Sequence, residues 1–308
     1  MRVVLTGATG TIGQAVADAL LARGDTVVAL SRNLERARAK LSDERVVLHA
    51  WERPANGPPP KDSLSGADAV IHLLGEPIAQ RWTARAKAAI HDSRVLSTRA
   101  LGRGLRALPE AERPKVLVSQ SATGFYGPRG AEPVDESSAP GTDWLSELVV
   151  AWEAEAMAAA DLTRVAVTRT GVVLSPTGGA LQKMLPVFKA GIGGPVAGGR
   201  QYLPWVHLDD VVGALLTCLD DTTAEGPINV VAPNPVTNAE FSKALGRALH
   251  RPAVLPVPGF AIKALYGEMS VIVITGQNVQ PSRLKLLSYE FARPQLQEAL
   301  NAVVGARP

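Results

Sequence analysis

The first thirteen residues, MRVVLTGATGTIG, limit what this chain can become more than any other stretch. An apolar run, Val3-Val4-Leu5, leads into three glycines at three-residue spacing, Gly7, Gly10 and Gly13. Apolar residues then recur at Ile12, Val16, Ala19 and Leu20 with helical period. A strand that ends in a glycine turn and passes at once into a helix begins a βαβ unit. Gly7 permits the tight turn, Gly10 lets backbone approach a ligand with no Cβ in the way, and Gly13 lets the helix lie close to the strand. The first N–H groups of the helix, which have no partner inside it, then face negative charge. The stretch from Gly7 through Thr9 to Gly13 is therefore expected to hold the pyrophosphate of a dinucleotide.

The rest of the chain alternates in the same manner. Strands are expected at 26–30, 46–49, 69–74, 115–119 and 164–174, and helices at 34–41, 83–108 and 144–160. Strict alternation implies parallel pairing through right-handed crossovers, so the fold class is α/β, a Rossmann-type doubly wound parallel sheet. Beyond residue 174 the texture becomes rich in glycine and proline, and Thr237-Asn-Ala-Glu240 has the form of a capping box. Residues 1–174 are read as the nucleotide-binding domain. Residues 175–308 are read as a smaller C-terminal α/β substrate lobe, with parts of 200–235 returning to the sheet.

Composition narrows the function classes. The 32 basic and 29 acidic residues are interspersed along the chain, which argues against a nucleic-acid partner. A single cysteine, Cys218 in an apolar context, excludes an internal disulfide and a multi-cysteine metal cage, and no metal is expected. It reads as a packed thiol in a reducing compartment. The N-terminal apolar run is too short for a secretory signal, and no uncharged run reaches membrane-spanning length. A cytoplasmic protein without a membrane partner is the expectation.

The end of the second strand selects the cofactor. An NAD site places an acid there for the ribose 2′-hydroxyl, whereas a 2′-phosphate needs a cation. The chain reads Ala29-Leu30-Ser31-Arg32-Asn33, and its next carboxylate is Glu35. Arg32 offers a planar fork and Ser31 one more hydrogen bond, so NADP(H) is preferred over NAD(H).

Gly7-Ala-Thr-Gly-Thr-Ile-Gly13, Ala69-Val-Ile-His-Leu-Leu-Gly75 and Ser119-Gln-Ser-Ala-Thr-Gly-Phe-Tyr-Gly127 together resemble the extended short-chain dehydrogenase/reductase superfamily. Gly75-Glu-Pro-Ile, Arg81-Trp82, Trp152-Glu153, Gly178-Gly-Ala-Leu181 and Trp205-Val-His-Leu-Asp-Asp210 resemble its atypical, YfcH-like epimerase-family branch, often labelled a cell-division-inhibitor homologue. The likeness spans nearly the whole chain. It implies that Thr11 and Ile12 touch the pyrophosphate, that Ser31 and Arg32 hold the adenosine end, and that Leu73, Leu74 and Gly75 line the cofactor. Ser121 matches the serine that hydrogen-bonds the reacting oxygen, Gly171 falls beside the nicotinamide, and Arg94 stands where relatives carry asparagine. The resemblance also implies a homodimer through the helices at 83–108 and 144–160. Glu76 at a strand end and Ser119 in the serine strand complete the cofactor candidates.

One departure bears on chemistry. Typical members carry Tyr-x-x-x-Lys on the helix after the serine strand, one turn apart on one face, for proton transfer. Here that helix begins Trp144-Leu-Ser-Glu-Leu-Val-Val-Ala-Trp152, and no lysine occurs between Lys115 and Lys183. Tyr126 and Ser121 are the candidate catalytic hydroxyls. His207 is a candidate acid or base, or an anchor with Asp209 or Asp210 starting a helix. Trp82, Trp144 and Trp205 are a candidate wall for a cyclic or sugar-like small-molecule substrate. His72 reads as a satisfied core histidine. Two functions follow: an NADP(H)-dependent oxidoreductase or epimerase-like enzyme of unassigned substrate, or a non-catalytic NADP(H)-sensing or partner-binding protein.

Overall fold

The computed structural model describes residues 1–305. Six strands alternate with helices in the first part of the chain: β1 (Arg2–Thr6), β2 (Thr26–Ser31), β3 (Val47–Ala50), β4 (Ala69–His72), β5 (Val116–Ala122) and β6 (Arg164–Thr170). With β9 (Gly226–Val230) they form one seven-stranded sheet, ordered β9-β6-β5-β4-β1-β2-β3 and parallel throughout. Two-residue alternation sends Val3 and Leu5 to one face, against Val16 and Leu20 of α1 (Thr11–Ala22) and Leu215 of α6 (Leu208–Asp220). Val4 and Leu117 go to the other face, against Leu101 and Leu105 of the helical run α3 (84–106) and Ala156 of α4 (Trp144–Met157). Full burial of each such aliphatic side chain is worth about 1.5–3 kcal/mol, so each face of the sheet is held by a core of its own.

The strand expected over 164–174 is two strands. Gly171 ends β6 by donating to the Val230 carbonyl at 3.1 Å, and Val172 then donates to Pro204 at 2.6 Å. That moves β7 (Val172–Leu174) out of the main sheet and pairs it in parallel with β8 (Trp205–His207). A Cβ on residue 171 would collide with the Pro204 carbonyl, so the switch requires glycine.

A smaller core lies beyond this switch. Leu181, Leu185 and Phe188 of α5 (Gly179–Lys189) pack with Trp205, with Phe241 and Leu245 of α7 (Asn238–Ala248), and with Leu300 of the C-terminal helix Leu296–Gly305. The capping box at α7 forms: Glu240 N–H donates to the Thr237 hydroxyl at 3.3 Å, and Thr237 N–H donates to the Glu240 carboxylate at 2.7 Å. Between these lobe elements the chain returns to the main core through α6 and β9, and Cys218 is fully buried there, its thiol pushed up to about 12 by burial. A short helix, Gly259–Tyr266, lies back over the nucleotide-binding part. Arg81 donates to the Ala264 and Leu265 carbonyls at 3.4 Å, and Lys87 pairs with Glu268 at 2.7 Å. Among the described residues no helix is long and apolar enough to cross a membrane, and no group of three or more His, Cys, Asp or Glu side chains clusters as metal ligands.

Candidate cofactor site

The strand order reverses at β1, whose neighbours are β2 on one side and β4 on the other. In open parallel sheets a ligand settles in the crevice at such a reversal, beyond the carboxyl ends of the strands. Here the crevice is floored by the glycine turn. Gly7 adopts φ +67°, and a Cβ there would lie 2.6 Å from the Leu73 carbonyl oxygen beyond β4. Gly10 is exposed and caps α1 without any side-chain hydrogen bond, and α1 has no acid in its first turn. Its leading N–H groups are therefore open to an anion. Gly13 is buried, and a Cβ there would strike the Gly7 carbonyl.

Three residues border the turn on the β2 side. Arg32 is exposed just past the end of β2, and Ser31 is held in a local turn by donating to the Asn33 carbonyl at 3.0 Å. Lys40, at the end of helix α2 (Leu34–Lys40), donates from Nζ to the Thr9 carbonyl at 3.1 Å. Sequence reasoning missed Lys40. The spacing of Arg36 and Lys40 on one helical face was visible, but only the β2–α2–β3 crossover brings that helix end back to the turn. Gly178 was likewise seen only as part of a resemblance, yet a Cβ on it would strike the Thr11 hydroxyl, so the start of α5 lies directly over the turn.

On the β4 side, Leu73 and Leu74 are half-buried and Gly75 is exposed. The run 84–106, continuous as expected, contains a π-helical stretch, Asp92–Leu96. One wide turn of this kind shifts the register of the helix and often marks a functional site. Here it aims two side chains at the backbone beyond β4. Ser93 accepts from Glu76 N–H at 2.9 Å, and Arg94 donates to the Glu76 carbonyl at 2.9 Å. The Arg94 guanidinium lies over the Trp152 ring at 5.2 Å and 3.1 Å from a Cβ built on Gly75. Burial pulls its pKa down to about 10, with Glu76 opposing, so it stays cationic at neutral pH.

His72 is fully buried behind this loop. Thr98 donates to the Arg94 carbonyl at 2.7 Å, which leaves its oxygen to accept from His72 Nε2 at 3.0 Å and from Trp152 at 3.1 Å. His72 Nδ1 then accepts from the Thr6 hydroxyl at 2.7 Å. Burial pushes the imidazole down to about 4, as befits a neutral core histidine.

The catalytic candidates lie at and just beyond the carboxyl end of β5, the strand next to β4. Ser121 is 1% exposed and donates to Glu153 at 2.6 Å. Glu153 in turn receives a two-pronged ion pair from Arg169, at 2.8 Å on each arm. Arg169 also donates to the Tyr126 hydroxyl at 3.0 Å, and that hydroxyl donates to Asn229 at 2.7 Å. Tyr126 is 0% exposed, and burial pushes its pKa up to about 12. The two hydroxyls expected to face a substrate thus serve a sealed network between β5, β6, α4 and β9. Ser119 is also buried, its hydroxyl without a partner. Glu153 and Arg169 were missed as a pair because 16 residues and a helix-to-strand crossover separate them.

The three tryptophans separate as well. Trp82 and Trp144 meet with ring centroids 4.6 Å apart, in a cluster with Trp152 and Met269. Trp205 is buried in the lobe core and donates to the Asn234 carbonyl at 3.3 Å. His207, not Asp209 or Asp210, caps α6, its Nδ1 accepting from Asp209 N–H at 3.1 Å. Burial lowers its pKa, with Asp209 and Asp210 opposing. Gly171, expected beside the nicotinamide, is the point at which the chain changes sheets.

A parallel sheet reversing at β1, an uncapped glycine turn and a cation at the end of β2 define a dinucleotide-fold protein of the extended short-chain dehydrogenase/reductase class, in its atypical form without the Tyr-x-x-x-Lys pair. The chain belongs to the NAD dependent epimerase/dehydratase family, whose model matches residues 3–231, and residues 257–303 match a domain of unknown function, DUF1731. It is 39% identical over 306 residues to the epimerase family protein SDR39U1 homologue, chloroplastic, of Arabidopsis thaliana, covering 99% of this chain and 87% of that protein. To the epimerase family protein SDR39U1 of Bos taurus it is 37% identical, covering 99% of this chain and 100% of that one. The crystal structure of human SDR39U1 (isoform 2) with NADPH superposes with a TM-score of 0.88 at 34% identity over 99% of both chains. A UDP-glucuronic acid 4-epimerase from Bacillus cereus shares the fold alone, at 16% identity and a TM-score of 0.79.

Proposed function

We propose that the chain binds NADP(H) in preference to NAD(H) in the crevice between β1 and β4, and acts as an oxidoreductase or epimerase-like enzyme on a small polar, cyclic or sugar-like molecule. The observation that carries the reading is the close approach of Gly7 to Leu73 beneath the uncapped start of α1. The uncapped N–H groups of α1 offer a pyrophosphate its donors there, and the human relative was crystallised with NADPH. Bound NADP(H) supplies hydride exchange. The N–H groups of Thr11 and Ile12 hold the pyrophosphate, Arg32 and Lys40 pair with the 2′-phosphate, and Arg94 with Glu76 orients the nicotinamide end. Trp82 and Trp144 border the substrate. Ser121 and Tyr126 take no proton-transfer role in the sealed arrangement, and the Glu76 carboxyl group is the acid nearest the nicotinamide end. The reading includes a cytoplasmic setting and a homodimer through 84–106 and α4, the latter checked by sedimentation velocity.

Thermal-shift and fluorescence titrations with NADPH and NADH test the cofactor. A ligand that binds the folded state must raise its stability by mass action. NADPH is expected to bind more tightly, and Arg32→Ala is expected to weaken NADPH about tenfold or more while leaving NADH nearly unchanged, the loss of one charge-assisted pair. Equal losses for both would remove the 2′-phosphate role, and no stabilisation by either at millimolar concentration would remove the cofactor claim. NADPH binding without turnover of any carbonyl or nucleotide-sugar substrate would leave the sensing role instead.

A further inference from the structure

The charges that look interspersed in the sequence are segregated in the fold. Residues 171–208 and 241–267 contain seven Lys and Arg and not one Asp or Glu, leaving 25 basic against 29 acidic residues elsewhere. The positive net charge of the chain therefore resides entirely in these two segments. The fold lays them side by side: Arg251 donates to the Lys189 carbonyl at 3.2 Å, and Val257 N–H donates to Pro195 at 2.9 Å. All seven cations are exposed, and none is paired with a carboxylate among the described residues.

At the outer end of the lobe, Lys243, Arg247, His250 and Arg251 line a groove of about 540 Å³. Its floor is the end of α7, where Arg251 N–H donates to Gly246 at 2.9 Å and His250 N–H donates to Arg247 at 3.1 Å. This double closure places His250 at φ +53°, a position that usually takes glycine. Beside the groove stand Val187, Ile192, Val254 and Leu255, exposed by 43%, 57%, 75% and 49%. Cations at the ends of α5 and α7 offset the helix dipoles, which accounts for Lys189, Arg247 and Arg251. It does not account for four aliphatic side chains left in water next to them.

We propose that this face is a peripheral docking site for an anionic phospholipid surface, the cations meeting phosphate-bearing headgroups and the aliphatic side chains entering the headgroup–acyl boundary. Cations beside protruding aliphatic side chains are what such a surface selects, since electrostatic attraction and apolar burial act on the same contact. A second copy of the chain fits poorly, because a symmetric contact through the groove would bring Lys189, Lys243, Arg247 and Arg251 of both copies together with no carboxylate paired to them. Nucleic acid is disfavoured because the groove and the side chains beside it offer aliphatic groups and no Phe, Tyr or Trp for stacking. The expectation of no membrane partner came from the absence of a spanning segment, and this site needs none.

Vesicle co-sedimentation tests the proposal on the full chain. Vesicles of phosphatidylcholine with about one-third phosphatidylserine are expected to bind the protein, and vesicles of phosphatidylcholine alone at least tenfold less, as about fivefold per cation near an anionic surface implies. Binding should weaken as salt rises. Lys243→Glu with Arg247→Glu should reduce binding at least tenfold, and Val254→Ser with Leu255→Ser should reduce it severalfold. Both pairs lie on the surface, and circular dichroism melting should be close to that of the unaltered chain. Equal binding to neutral and anionic vesicles, or charge reversal without effect, would overturn the proposal. So would a protein that ignores vesicles yet binds polyglutamate, which would assign the face to an acidic protein partner.

Discussion

At the scale of single residues, burial decides what each titratable group can do. His72 illustrates the rule. Its unfolded value is near 6.5 and its folded value about 4, so below pH 6.5 the unfolded chain takes up a proton that the folded chain refuses. The stabilisation is complete above pH 6.5 and is lost as the pH falls towards 4, by about 3 kcal/mol in all. His72→Gln, which keeps a neutral hydrogen-bonding group, is expected to flatten the dependence of the urea midpoint over that window. An unchanged slope would show that other groups carry it. The same burial explains why the surroundings of Ser121 and Tyr126 were not legible in the sequence. A serine and a tyrosine at a strand's carboxyl end are visible in sequence, but whether a hydroxyl meets solvent or a buried carboxylate depends on residues far along the chain. Glu153 and Arg169 supply that partner, and the network they complete ties the Ser121 hydroxyl to an internal ion pair.

At the scale of elements, periodicity and turn chemistry were largely readable. The glycine turn, the parallel strands and the capping box at Thr237 and Glu240 follow from local spacing, because each is built from contacts within a few residues. The break at Gly171 was not readable, since the run from Arg164 to Leu174 is rich enough in β-branched valine and threonine to read as one strand. What divides it is a carbonyl from Pro204, more than thirty residues away in sequence. Gly171→Ala is therefore expected to cost about 1–3 kcal/mol or more through overpacking, read as a lower urea midpoint. Limited proteolysis should then cut first within the lobe. A variant with unaltered stability would show that the strand can change sheets without the close approach.

At the scale of the whole molecule, the lobe and the nucleotide-binding part are tied by the tail. The buried Asp210 carboxylate accepts from Ala292 N–H at 2.6 Å, Arg293 N–H at 3.0 Å and the Tyr289 hydroxyl at 3.2 Å. Asp210→Ala would leave these donors unpaired, with an expected loss of about 2–4 kcal/mol from hydrogen bonds to a charged group. Hydrogen exchange at Ala292 and Arg293 should accelerate in that variant, and unchanged protection would mean that the tail is held by packing alone. The sequence by itself determined the parallel α/β architecture, the phosphate-holding turn and the cation at the end of β2, because these depend on residue type and short spacing. Only the tertiary structure decided which hydroxyls are sealed, which glycine lets the chain change sheets, that Lys40 and Gly178 meet the turn, and that Lys189 comes to lie beside Lys243, Arg247 and Arg251. Each of these depends on segments that the sheet order brings together from distant positions, and no local pattern encodes that meeting.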